Sequence, residues 1–139
     1  MKEILNIIIP IIMSIESGGE KDPNNAKGDY WNGQYNAIGC LQISEAVVDD
    51  CNRVQKEQTF TYEDRTDKEK SIEMCKIYLS YWINRYEINT GKKATLQDYF
   101  KCWNGGCHWY KKKNQETLKN LDNYWKKAQK RIKLGENIK

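Results

Sequence analysis

The chain is 139 residues long and carries 23 Lys and Arg against 19 Asp and Glu, with one His, for a formal net charge of +4. That length suits one domain with a single proper core. The small net charge, with basic and acidic residues interspersed over most of the length, argues against a dedicated nucleic-acid binder and for a soluble protein drawn to anionic surfaces such as a bacterial wall. Five Trp and nine Tyr against two Phe make a ring population rich in polar handles, which suits carbohydrate faces and ordinary cores alike.

In chain order, residues 2 to 16 predict a first helix with isoleucines all round, hence a core helix. Pro10 should kink it or delay its start. Either way Glu16 falls at its last turn, before the helix-stopping pair Gly18-Gly19. A half-buried carboxylate there would have its pKa pushed upward, as a general acid near neutral pH requires. The apolar run from Ile4 to Met13 has the length of a signal-peptide core, but cleavage would fall in S-I-E-S-G-G and disrupt that glutamate. It reads instead as a structural helix, and it is too short to span a bilayer.

From Gly18 to Gly39 the composition turns to Gly, Asn, Asp, Tyr and Trp, predicting a long loop or a small irregular hairpin of functional use. Ser44 is a good N-cap for a helix to about Val54, with Glu45 near the positive end of its dipole. After a polar connection, Asp67 starts the longest helix, to about Asn89. There Ile72, Cys75, Leu79, Trp82 and Tyr86 form one buried stripe, and Gly91 ends it. Thr95 caps a short helix through Phe100 toward Trp103, broken at Gly105-Gly106. The last helix runs from about Glu116 to Lys133, with Leu118, Leu121, Tyr124, Trp125, Ala128 and Ile132 on its apolar side. Lys111 to Lys113 read as a solvated face. The sum is five or six helices and almost no strand.

Five cysteines leave at least one thiol unpaired in any scheme. Bridges between Cys102 and Cys107, around W-N-G-G, and between Cys51 and Cys75, linking two helices, are both open. The spacing from Cys102 to His108 lacks the second ligand pair of a zinc site, so no metal is expected. His108, the single histidine, is a surface or rim residue, since no G-x-S-x-G elbow accompanies it.

Four short motifs stand in order: E-S-G-G from Glu16, A-I-G-C-L-Q-I from Ala37, C-W-N-G-G from Cys102 and D-N-Y-W-K-K-A from Asp122. Together they resemble the motifs of the lysozyme-like superfamily, in its soluble lytic transglycosylase and goose-type lysozyme branch. The resemblance spans nearly the whole chain. It implies one catalytic domain over residues 1 to 139 of α+β, mainly α class, with a lysozyme-like fold and a catalytic glutamate at a helix end beside a cleft. By that resemblance Glu16 protonates the leaving oxygen between N-acetylmuramic acid and N-acetylglucosamine, without cofactor. Ser17, Gly39, Gln42, Trp103, Asn104 and Tyr124 fall at cleft positions, with Gln42 contacting an N-acetyl group or supporting the glutamate. Tyr30, Trp31 and Tyr35, in the loop expected to wall the cleft, offer rings to sugar faces.

An inverting hydrolase needs a second carboxylate to position water. Asp29, in a G-D pair, is the candidate, and a turn residue is its plain alternative. Ser44 stands where goose-type enzymes resemble one another in carrying a further aspartate, which weakens the hydrolase reading and favours a transglycosylase working with Glu16 alone. Trp103 replaces the family's tyrosine, keeping the ring and losing the hydroxyl. Those two departures are what an inactive wall-binding module would show. A small basic nucleic-acid binder has only net charge and the lysine-rich last helix behind it. The expected partner is the peptidoglycan glycan strand, met by a monomer at the cell wall. No nucleic acid and no stable membrane insertion are expected, and action outside a cytoplasm would require delivery, for example by a phage particle, a pore or an upstream segment.

Overall fold

The first helix, α1 (Lys2–Ser17), turns one apolar stripe inward. Leu5, Ile8, Ile9 and Ile12 recur at three- and four-residue spacing and are at most 2% exposed, whereas Asn6, Ile7, Pro10 and Ser14 face water. The helix is therefore one-sided, correcting the expectation of isoleucines buried all round. It also runs unbroken through Pro10. Pro10 lies on the exposed face, where water can take up the carbonyl that loses its helical donor. The computed structural model describes the backbone of residues 2–18, 22–28, 30–31, 34–56 and 59–138, and their side chains except at 2, 30, 31, 34, 35 and 136–138.

The described residues of the glycine-rich stretch include short paired strands. Strands β1 (Tyr30–Trp31) and β2 (Gln34–Tyr35) pair antiparallel, Tyr30 opposite Tyr35 and Trp31 opposite Gln34. Strands β3 (Ala37–Ile38) and β4 (Ile43–Ser44) form a second antiparallel pair. Ser44 then caps α2 (Glu45–Gln55), its Oγ accepting from the Val47 N–H at 3.3 Å. A 3₁₀ turn, Tyr62–Thr66, carries a reciprocal cap in which Asp64 accepts from the Thr61 N–H at 2.8 Å. That bond holds the Asp64 carboxyl below its ordinary range.

Helix α3 (Lys68–Thr90) follows, then α4 (Leu96–Gly105), capped by Thr95 and Asp98, and α5 (Gln115–Ile138), where Asn114 Oδ1 accepts from the Glu116 and Thr117 N–H groups. The described chain is thus mainly helical α+β. It divides into two compact units, residues 1–78 and 79–139, the division falling inside α3. In the first unit Leu41, Ile43, Val48 and Met74 join the α1 stripe as fully buried side chains. In the second, α4 and α5 pack with Phe100, Leu121 and Ala128 buried, and Phe100 lies 5.8 Å from the Trp125 ring. Tyr86, Trp109 and Tyr110 make a three-ring cluster with centroids 4.9 to 5.0 Å apart. Leu118, expected on the buried side of α5, is 41% exposed. Among the described residues no helix is long and apolar enough to cross a membrane.

No disulfide links any of the five cysteines, so neither bridge left open by the sequence forms. Four are buried, and the Cys51 Sγ–H donates to the Met74 carbonyl at 3.4 Å. Burial pushes the thiols of Cys40, Cys51 and Cys102 up, that of Cys51 to about 12. In the unfolded chain the same thiols lose their protons above about pH 8.5. Their contribution to stability is therefore complete below that pH and lost as pH rises toward the folded values. The free energy of unfolding from urea titration should fall between pH 9 and pH 11, by up to about 1.4 kcal/mol per pH unit for each buried thiol. A thiol reagent should modify Cys107 alone in the native protein and all five cysteines in denaturant. A native titre of zero, or fewer than five on unfolding without reductant, would restore a bridge.

Candidate active site

Glu16 continues the inward stripe of α1, four residues beyond the fully buried Ile12, and is itself half-buried. It is the point at which the stripe changes from hydrocarbon to carboxylate. No basic residue stands in that last turn of α1. Ser17, next in the chain, is 5% exposed and anchors the helix end. Its Oγ lies 3.0 Å from the Met13 carbonyl and 2.9 Å from the Cys40 carbonyl. A hydroxyl has one hydrogen, so the two acceptors share it; the contact that crosses to the glycine-rich segment is the shorter.

Cys40 belongs to the turn between β3 and β4, and that turn is held almost wholly through backbone. The Gly28 N–H donates to the Ala37 carbonyl and the Gly39 N–H to the Ala26 carbonyl, both at 2.7 Å, placing Lys27 opposite Ile38. Gly39 has φ +91°, and a Cβ there would collide with the Arg65 carbonyl oxygen. Gln42, with φ +51°, closes the turn from inside. Its Nε2 donates to the Ala26 carbonyl at 3.1 Å and the Gly39 carbonyl at 3.0 Å, using both amide hydrogens. Its Oε1 sits over Gly28, 2.7 Å from where a Cβ would be.

Arg65 supports this turn from behind and is 6% exposed. Its Nε donates to the Tyr62 carbonyl at 2.8 Å and its Nη1 to the Ile43 carbonyl at 3.2 Å, while Nη2 stands 3.7 Å from Glu45 Oε2. Burial draws the guanidinium below its ordinary value, with the Glu45 carboxylate opposing. Buried Ser71 donates to the Arg65 carbonyl at 3.0 Å, fixing the oxygen against which Gly39 packs. Neither Arg65 nor Ser71 is singled out by sequence reasoning. The available signal was T-Y-E-D, a reciprocal-cap pattern that sets Arg65 in the turn after Thr61.

The first unit thus brings Glu16, Ser17, Gly39 and Gln42 into one continuous construction: Glu16–Ser17, one hydrogen bond, then Cys40–Leu41–Gln42. Asp29 lies outside the described residues. For Tyr30, Trp31 and Tyr35 the backbone pairing is described, and their side chains lie outside the described residues. The second unit holds the other three candidates. Half-buried Trp103 and exposed Asn104 occupy the last turn of α4, and Tyr124, 6% exposed, sits on the buried side of α5. Gly105 lets these helices approach, because a Cβ there would stand 2.5 Å from Leu121 Cδ2 and 3.2 Å from Trp109 Cβ. His108 is exposed, its ring 5.8 Å from that of Trp82. Among the described residues no group of three or more His, Cys, Asp or Glu could hold a metal ion. Comparisons of the chain with protein-family models, curated proteins and solved structures found no match.

The turn beside Glu16 should be sensitive at two positions. Gly39→Ala should cost about 2–4 kcal/mol, from left-handed backbone and the collision with Arg65. Gln42→Ala should cost about 1–3 kcal/mol by removing two side-chain hydrogen bonds, although the Ala26 and Gly39 carbonyls each keep a backbone donor. Gln42→Gly restores backbone freedom at φ +51° but not the bonds, so it should also destabilise, by less than Gln42→Ala. Urea denaturation of the three variants checks this; a Gln42→Gly protein as stable as wild type would show that the side-chain amide contributes nothing.

Proposed function

We propose that this chain has a lysozyme-like fold and cleaves peptidoglycan glycan strands at the β-1,4 bond between N-acetylmuramic acid and N-acetylglucosamine, as a lytic transglycosylase with Glu16 as its acid and base. The observation that supports this reading best is the position of Glu16. It is the one carboxylate on the buried stripe of α1, and the next residue is tied to the Gly39–Gln42 turn. An acid there has a fixed backbone beneath it, which proton transfer in a defined direction requires.

In the proposed reaction the protonated carboxyl of Glu16 gives its hydrogen to the glycosidic oxygen as the bond from muramic C1 breaks. The resulting carboxylate then takes the proton of the muramic C6 hydroxyl, whose oxygen closes on C1. The products are a free 4-hydroxyl and a 1,6-anhydro end, and no water is consumed. Ser17, Gly39 and Gln42 are the proposed support of the acid. Tyr30, Trp31, Tyr35, Trp103, Asn104 and Tyr124 are the proposed glycan contacts. The spending of both Gln42 amide hydrogens on backbone favours a supporting role over donation to an N-acetyl group.

Purified peptidoglycan digested by wild type and by Glu16→Gln, with released muropeptides weighed by mass spectrometry, tests the proposal. Wild-type products should be one water lighter than hydrolysis products, and Glu16→Gln should slow their release about a hundred- to ten-thousand-fold. Asp29→Asn should change the rate only slightly. Reducing muramic ends, lost in both variants, would make the protein an inverting muramidase instead. Release of nothing from several wall types would leave a wall-binding module.

A further inference from the structure

The modest net charge conceals a division. Residues 1–78 hold 9 Lys and Arg against 14 Asp and Glu, a balance of −5, and residues 79–139 hold 14 against 5, a balance of +9. This corrects the impression of charges interspersed throughout: each unit has its own sign. Within the second unit α5 carries six Lys and Arg against three acidic residues, +3 of the excess, and arranges four of its lysines in one row. Lys119, Lys126, Lys130 and Lys133 recur at seven, four and three residues, all are exposed, and all lie on the side opposite buried Leu121, Tyr124 and Ala128. At 1.5 Å per residue they make a straight row about 21 Å long. Between Thr117 and Gly135 the one acidic residue is Asp122, and its carboxylate is already taken by Lys101 of α4, Nζ to Oδ1 2.9 Å.

We infer that this face of α5 is a docking surface for a phosphodiester polyanion of the cell envelope, a polyol-phosphate chain of the teichoic-acid type. A row of lysines supplies hydrated point charges without the bidentate fork by which arginine selects planar groups, so it suits a flexible chain carrying repeated single phosphates. The exposed neighbours Asn120, Asn123 and Gln129 carry no rings, so the row offers no platform for stacking bases, unlike surfaces that hold single-stranded nucleic acid. The choice of an envelope polymer rests on the proposed wall activity. The surface itself does not, because binding can be read with polymer that contains no glycan bond to cut.

The experiment uses full-length Glu16→Gln protein, so that nothing is cleaved, and purified glycerol-phosphate polymer freed of peptidoglycan. Titration followed by tryptophan fluorescence, at 50 and 200 mM salt, gives the affinities. Four lysine–phosphate contacts predict a loss of affinity of about fifty-fold over that range, taking the salt slope of a single-stranded polyanion. Replacing the four lysines with glutamine should abolish binding at both salts. Replacing them with arginine should preserve it and exclude misfolding as the cause. Walls stripped of polyol phosphate by acid should retain less protein than untreated walls. Equal binding by the glutamine variant, or equal retention on stripped walls, overturns the inference. So does tighter binding to duplex DNA than to the polymer with the same lysine dependence, which would reassign the face to nucleic acid. An absence of muropeptide release by wild type bears on the glycosidase proposal and leaves these readings intact.

Discussion

A single shared hydroxyl hydrogen, that of Ser17, joins the helix carrying Glu16 to the turn it faces. The carbonyls of a helix's last turn have no donors of their own, so an end that must be fixed in place needs partners from outside or a local substitute. Here the Ser17 hydroxyl couples the helix end to the Cys40 carbonyl instead. That carbonyl can accept the bond only because the turn holding it is rigid in turn: Gly39 lies against the Arg65 carbonyl where no side chain would fit, and Ser71 pins that carbonyl from the other side. Arg65 closes the construction by donating to two further carbonyls, of Tyr62 and Ile43. The immediate surroundings of the proposed acid are thus set by side chains bonding to backbone oxygens. Such a network tolerates change at surface positions and very little at Gly39, where a Cβ would collide with the Arg65 carbonyl, or at Gln42 and Arg65, where side-chain donors to backbone carbonyls would be lost.

The second unit relies on a different force. Its central contact is apolar and steric, the approach of α4 to α5 at Gly105 beneath Leu121 and Trp109. The ring cluster of Tyr86, Trp109 and Tyr110 then fills the space beside it. Caps at Thr95 and Asn114 define where each helix begins, so the register of Trp103, Asn104 and Tyr124 on their helices follows from short local signals. Polar network in one unit and packed rings in the other are two ways of fixing a side chain. The first suits a residue that must keep one orientation beside irregular backbone, the second suits residues presented by regular helices.

Helices were the legible part of the sequence, for reasons visible residue by residue. Ser44, Asp67 and Thr95 are side chains whose oxygens reach nearby N–H groups, a local interaction that depends little on the rest of the fold, and all three start helices as expected. Gly91 and Gly106, both with positive φ, end α3 and α4. What periodicity could not reveal was which face of an all-isoleucine helix meets solvent: Ile7 is 63% exposed and Ile8 fully buried, and only neighbours distant in sequence decide between them. The same holds for the site. The place of Glu16 at the half-buried end of α1 was legible because the apolar run before it and the glycines after it are consecutive in the chain. Arg65 was not, because its role depends on the Ile43 carbonyl and the Gly39 backbone, both more than twenty residues away. The thiols were misleading for a related reason: spacing says nothing about whether a cysteine's sulfur ends among hydrocarbon, as that of Cys102 does.

The opposite charges of the two units bear on how the proposed acid would act on an insoluble anionic polymer. A unit of charge −5 alone would be repelled from such a surface, and in the described chain it is covalently continuous, through α3, with one of +9. Attraction by individually weak lysine contacts raises the local concentration of the attached unit without making any one contact slow to release, since each is screened and exchangeable within a Debye length of about 10 Å. A bond-specific pocket would hold the protein at one place on the wall. In the proposed reaction a row of point charges would let it remain near the polymer and move along it while Glu16 meets successive bonds. In the proposed division of labour, then, selectivity belongs to the fixed backbone around Glu16 and residence belongs to α5. That separation predicts that altering the lysine row changes how salt acts on the reaction, and that altering Glu16 changes whether there is one.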